Sequence, residues 1–274
     1  MPKKVAIQGI KGSFHDQVVE HYFSVPPERL ECSTFDELAQ SIDSGKCDLG
    51  VMAIENSIAG SILPNYALLD QYELVITGEH FLRIEHNLMA LPGQKIQEIE
   101  EVHSHPMALL QCKKFFRKHP HIKLVESHDT AEEAYKIGAQ KWTSKAAIAS
   151  VRAAKIYGLE ILNPSIQTIK NNVTRFIILQ NKEEDKKNKV NKAAWKFVLD
   201  HKRGSLATAL NLVSDCNLNL TKIQSLPVIE TPGKYAFFVD VTFDALSDYQ
   251  KAKSLLEIMA ASFKVLGEYP AGKL

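Results

Sequence analysis

Between Asn181 and Lys192, eight of twelve residues are charged and Val190 is the only apolar one. Such a stretch cannot bury a face, so it reads as an exposed linker, and the chain on either side must build its own core. The pattern also starts afresh after it. The 274 residues therefore divide into a region 1–180, a charged linker 181–192 and a smaller region 193–274.

The first region alternates strand and helix patterns. Lys4–Gly9 reads as a strand, followed by a helix from Phe14. Asp48–Ile54, Glu73–Thr77, Phe81–Ala90, Ala146–Ala149, Leu159–Leu162 and Thr174–Leu179 read as further strands, and Val102 ends another. Helix starts are marked by two capping boxes, Thr34-Phe35-Asp36-Glu37 and Thr130-Ala131-Glu132-Glu133, and by Pro64 and Pro106. Gly45 suits the end of the helix that Thr34 opens. This alternation predicts an α/β architecture with mostly parallel sheets. The second region reads strand Trp195–Asp200, helix Ser205–Cys216, strands Leu220–Ile229 and Tyr235–Phe243 around a Pro232-Gly233 turn, helix Asp248–Phe263 and strand Lys264–Tyr269. That is the βαββαβ plan of a ferredoxin-like module.

Lys plus Arg number 33 against 32 Asp plus Glu, so electrostatics make no case for nucleic acid or an anionic membrane as partner. No apolar run approaches the roughly 18 residues of a membrane span, and Val5–Ile7 is too short for a signal-peptide core. Four cysteines (Cys32, Cys47, Cys112, Cys216) are widely spaced with no Cys-x-x-Cys pair, so the simplest reading is reduced thiols in a cytoplasmic protein.

Four polar segments sit at strand ends. Gly9-Ile10-Lys11-Gly12-Ser13 joins a strand to a helix, whose first amides offer an anion site, or else is a plain turn with Ser13 as cap. Glu55-Asn56-Ser57 with Gly60 follows an apolar strand, where Glu55 needs a partner or a raised pKa. His103-Ser104-His105-Pro106 opens a helix; the His-x-His spacing has no third and fourth metal ligand nearby, and Ser104 reads as a cap that also presents its hydroxyl. Gln111 lies two helical turns further along the same face. Asn171-Asn172-Val173-Thr174-Arg175-Phe176 enters the last strand with one hydroxyl and one guanidinium, which can grip a carboxylate through two parallel bonds. Together they describe an anion-binding cleft without an obvious cofactor.

In this order the four segments resemble prephenate dehydratase. They read Gly9-Ile10-Lys11-Gly12-Ser13-Phe14, Glu55-Asn56-Ser57 with Gly60, Ser104-His105-Pro106-Met107-Ala108-Leu109-Leu110-Gln111-Cys112 and Thr174-Arg175-Phe176, followed by a module that resembles an ACT domain. The resemblance implies a catalytic region folded like a two-lobed (type II) periplasmic binding protein. Lobe 1 would take about 1–79 and 165–180, and lobe 2 about 80–164, with the chain crossing near His80 and returning near Ser165. It implies conversion of prephenate to phenylpyruvate, water and carbon dioxide, without cofactor or metal. Thr174 would face the leaving hydroxyl, while Arg175 and the helix-start amides near Ser13 and Ser104 hold carboxylates. Asn56, Ser57 and Gln111 would orient the substrate, with Gly60 and Phe176 in the same site. Glu55 would either anchor Arg175 or be protonated. His15 and Met107 depart from the family's Ser/Thr and Gln.

The resemblance further implies a homodimer or homotetramer with L-phenylalanine as effector, bound by Gly204, Ser205, Leu206, Asn219, Gln224 and Ser225. Gln224 and Leu226 replace both charged members of the family's second effector motif, so weak inhibition is expected. Two alternatives stand beside this: arogenate as substrate, and a non-catalytic amino-acid sensor.

Overall fold

The computed structural model describes residues 3–181, 190–228 and 231–273; most of the expected linker, residues 182–189, lies outside the described residues. Three sheets organise the chain.

The first sheet is built from β1 (Lys4–Gln8), β2 (Glu28–Cys32), β3 (Leu49–Asn56), the two-residue β4 (Gly60–Ser61), β5 (Val75–Arg83) and a late strand, β11 (Val173–Gln180), in the order β2-β1-β3-β11-β5 with β4 on β3. Helices α1 (Phe14–Tyr22), α2 (Phe35–Asp43) and α3 (Leu63–Gln71) cover it. The second sheet has the order β10-β6-β9-β7-β8, from β6 (Asn87–Ala90), β7 (Glu101–Ser104), β8 (Lys123–Glu126), β9 (Lys145–Ala149) and β10 (Glu160–Asn163). Its helices are α4 (Pro106–Phe116), α5 (Thr130–Gln140) and α6 (Val151–Tyr157).

Local sequence explains most helix starts. The hydroxyls of Ser13, Thr34 and Ser150 accept from amides in the first turns of α1, α2 and α6, and Glu37 reaches back to the amide of Ser33. Two expected caps move by one residue. Asp129, not Thr130, caps α5, taking the amides of Ala131 and Glu132 at 2.8 Å each, because a carboxylate outcompetes a hydroxyl there. His105, not Ser104, caps α4.

The expectation of mostly parallel sheets does not hold. In each lobe two pairings are parallel and the strands nearest the crossing pair antiparallel, β11 with β3 and β5, β6 with β9 and β10. The reason is the double crossing: β5 leaves the first lobe and β11 returns beside it, so the two run in opposite directions. The crossing also comes later than His80. His80 pairs with Phe176 and Arg83 with Val173, so the first sheet holds β5 to its end. The outgoing segment is 84–86; it lies against the returning one, with Ile166 donating to His86 and Ile84 to Asn172 through the backbone.

The third sheet is β13-β14-β12-β15, from β12 (Lys192–Val198), β13 (Asn219–Pro227), β14 (Tyr235–Thr242) and β15 (Ser262–Tyr269), with α7 (Ser205–Asp215) and α8 (Leu246–Met259): a ferredoxin-like βαββαβ unit. Strand alternation gives this sheet two apolar faces. Trp195, Phe197, Val239 and Val241 pack under the helices with Tyr249 and Leu256. Ala194, Ala236, Phe238, Leu266 and Tyr269 face the other way and share a core with Ile76, Ile177 and Leu179 of the first sheet. At Gly267 the approach is backbone on backbone, since a Cβ there would run into the carbonyl oxygen of Ile76. Strand β11 therefore lies in a sheet whose other face is held by the C-terminal unit.

Candidate active site

A cavity of about 440 Å³ lies in the cleft between the lobes, within the size range of small-molecule sites. Its chemistry starts at the end of β3. Asn56 Oδ1 accepts from the amides of Ile58 at 3.0 Å and Ala59 at 2.9 Å, closing the turn that follows the strand. With its oxygen pinned, the side chain must donate from Nδ2. It does so to Thr174 Oγ1 at 2.8 Å and to Asn172 Oδ1 at 2.7 Å.

Asn172 is thereby oriented too, and its Nδ2 donates to Gln111 Oε1 at 2.8 Å. His86 Nε2 lies 2.9 Å from the same oxygen, so Nε2 carries the ring proton. Burial lowers the pKa of His86 to about 4, and the ring is neutral at pH 7. Thr174 and Gln111 thus have their oxygens occupied from behind. The hydroxyl hydrogen of Thr174 and the amide hydrogens of Gln111 find no acceptor among the described residues, and both side chains line the cavity.

The wall carries almost no formal charge. Among its described residues there is no lysine or arginine. His15, edge-on to Phe176 with ring centroids 4.9 Å apart, accepts from the amide of Ala53 at 3.4 Å, and burial lowers its pKa to about 3. Burial also lowers His105 and raises Asp129, whose two bonds from amides oppose that rise. What remains for an anion is the start of α1: the amides of Phe14 and His15 have no acceptor among the described residues, and both residues line the cavity.

Of the residues singled out from the sequence, Ser13, Asn56, Gln111, Thr174 and Phe176 meet on this wall. Arg175 does not. Along β11 alternate side chains face opposite ways, so Thr174 and Phe176 can share the cleft only if Arg175 leaves it. Its guanidinium is 6% exposed and fully engaged: Nε donates to Glu79 Oε2 at 2.7 Å, Nη2 to Tyr269 Oη at 3.0 Å and Nη1 to Asp240. Glu55 does not anchor it; the Glu55 carboxylate pairs with Lys222 of β13 at 2.7 Å.

Ser104 is fully buried and donates to the carbonyl of Ile148 at 2.7 Å, a bond inside the second sheet. The first amides of α4 are taken by His105, so that helix start is not free for a carboxylate. Ser57 donates to the carbonyl of Asn171 and accepts from the amide of Val173, fastening the turn after β3 to the start of β11. Gly60 is exposed with φ +81° at the edge of the same turn. These residues shape the site from outside it. Two members of the polar wall, Asn172 and His86, were not singled out. An Asn-Asn pair ahead of a strand looks like any turn, and only the neighbouring apolar run Leu88–Ala90 marks His86 as half inside a core.

The chain matches the prephenate dehydratase family model over residues 5–184. It is 35% identical to arogenate dehydratase/prephenate dehydratase 2 of Arabidopsis thaliana, over 97% of this chain and 72% of that one. It is 31% identical to the bifunctional chorismate mutase/prephenate dehydratase of Buchnera aphidicola, over 100% of this chain and 72% of that one. Among solved structures it superposes on the prephenate dehydratase of Arthrobacter aurescens in complex with L-Phe (25% identity, TM-score 0.85, 97% of this chain and 89% of that one). It also superposes on GqqA, described as a quorum-quenching acylase (27% identity, TM-score 0.87, 98% of both chains). Whole-length similarity to dehydratases, over a cleft that presents hydroxyl and amide hydrogens from both lobes, makes the chain a member of the prephenate dehydratase family.

Proposed function

We propose that the cleft converts prephenate to phenylpyruvate. The bond between the ring and its carboxylate breaks, and its electron pair moves through the ring as the carbon–oxygen bond to the ring hydroxyl breaks. The departing oxygen takes up one proton and leaves as water, so prephenate and a proton give phenylpyruvate, carbon dioxide and water. Aromatisation drives this strongly downhill; the protein has to orient a dianion and ease the departure of the oxygen.

The observation that carries the reading is the polarity of Thr174. Because Asn56 Nδ2 donates to its oxygen, its own hydrogen points elsewhere, and the cleft is where an acceptor would lie. A donor held at the leaving oxygen strengthens its bond as negative charge develops. The Phe14 and His15 amides are the best-suited seat for a carboxylate. The same polarity speaks against the chemistry named for GqqA. An acyl transfer through Thr174 would need a base to take its proton, and its hydrogen-bond neighbour Asn56 is a donor.

The βαββαβ unit reads as an ACT regulatory module with L-phenylalanine as effector. Ser205 and Leu206 line a cavity of about 120 Å³ beside Lys202, Lys234 and Tyr235. Asn219, Gln224 and Ser225 are not in that cavity; they lie along β13, the edge strand. Ser225 pairs with Phe237 of the cavity wall, so the strand borders the cavity; a homodimer or homotetramer is the assembly this reading expects. Release of phenylpyruvate from prephenate, with arogenate and an acyl amide assayed in parallel, tests the catalytic reading. No product from prephenate would overturn it, and faster turnover of arogenate would change the substrate.

A further inference from the structure

We propose that Asn172, backed by His86, is a positioning residue of the dehydration. Its place between the Asn56 and Gln111 amides carries the polarity fixed at Asn56 on to Gln111, so that Gln111, like Thr174, turns hydrogens rather than lone pairs toward the substrate. The proposal rests on the reading of the cleft as the prephenate site.

The argument is one of donor and acceptor counting. Asn172 is fully buried, and its two polar atoms join the two lobes: Oδ1 accepts from Asn56 of the first, Nδ2 donates to Gln111 of the second. The polarity enters at one point, where the backbone amides of Ile58 and Ala59 donate to Asn56 Oδ1, and passes through Asn172 to Gln111. His86 fits it at the far end, since in its Nε2-protonated tautomer the ring also donates to Gln111 Oε1. If the Gln111 amide turned round, it would set its own hydrogens against two donors. Neither Asn172 nor His86 need touch substrate for this; each acts through the side chain in front of it.

Asn172→Asp is the informative change. A carboxylate still accepts from Asn56 but cannot donate to Gln111 Oε1; a protonated carboxyl does both and restores the amide's pattern. The variant should therefore lose about 10- to 100-fold in kcat at neutral pH, the usual scale for a supporting hydrogen bond, with a small change in KM. Its kcat relative to the wild type should climb as pH falls. The titratable groups around the position are His86 at the crossing, His15 on α1, His105, His128 and Asp129 across the cleft, and Arg83 beside Asn171. Both proteins share them, so the ratio isolates the new carboxyl.

Far-ultraviolet circular dichroism at each pH would show that the fold is intact, and Asn172→Ala and His86→Leu serve should the Asp variant not fold. If these residues act through Gln111, adding either change to Gln111→Leu should cost much less than it does alone. A flat kcat ratio with pH, or losses that simply multiply with Gln111→Leu, would overturn the proposal. Wild-type enzyme without activity on prephenate would instead sink the reading on which it rests.

Discussion

Glu79→Gln tests how the C-terminal unit is held to β11. Glu79 accepts from Arg175 Nε at 2.7 Å, from Lys192 Nζ at 2.9 Å through both oxygens, and from the amide of Gly272 at 2.9 Å. With Asp240 it balances the charges of Arg175 and Lys192. All four side chains are at most 9% exposed. Burial works against the charge on Arg175, yet Asp240, Tyr269 and Glu79 outweigh it and raise its pKa. A glutamine of the same shape leaves one positive charge buried without a partner, which costs about 3–5 kcal/mol. For a protein of this size each kcal/mol moves the melting temperature by about 2–4 °C, so the expected drop is roughly 6–20 °C. Differential scanning calorimetry measures it, with Lys202→Ala, at an exposed pair, as a control that should not move Tm. Adding Lys192→Met to Glu79→Gln removes the stranded charge and should recover part of the loss. A fall below about 2 °C, or no recovery in the double variant, would refute the claim that the cluster is held by charge balance.

Thr174→Val keeps shape and removes the hydroxyl; kcat should fall by about 10²–10⁴-fold with KM nearly unchanged, and a mere rise in KM would make Thr174 a binding residue only. Stability should fall with acid. His15 and His86 are bases whose folded pKa values, about 3 and about 4, lie below the ordinary 6.5, so the unfolded chain binds protons that the folded one refuses. Below about pH 6.5 each costs up to about 1.4 kcal/mol per pH unit, and His15→Gln should lose less Tm between pH 7 and pH 5 than the wild type; equal slopes would remove His15 as a cause. L-phenylalanine should inhibit weakly, because Gln224 and Leu226 offer no charge where the family's motif has two; full inhibition at low micromolar concentration in the phenylpyruvate assay would show that main-chain groups suffice.

Many elements were legible because they are decided locally, although the expected strands Glu73–Thr77 and Phe81–Ala90 are instead β5, Val75–Arg83, and β6, Asn87–Ala90, and β2 and β8 were not read. A serine or threonine ahead of a helical pattern, alternation along a strand, and glycine or proline at turns act over a few residues, so α1, α2 and the βαββαβ order could be read directly. The same local rule also held information that the motif reading passed over: alternation along β11 alone separates Arg175 from Thr174 and Phe176. What the sequence could not determine was every partnership between distant segments. Glu55 visibly needed a partner or a raised pKa, but that Lys222 is the partner depends on how the C-terminal sheet docks. Asn172 looked like a turn residue because its role needs Asn56 and Gln111, which lie 116 and 61 positions away. A hydrogen bond acts over about 3 Å, and only the folded chain brings those amides that close.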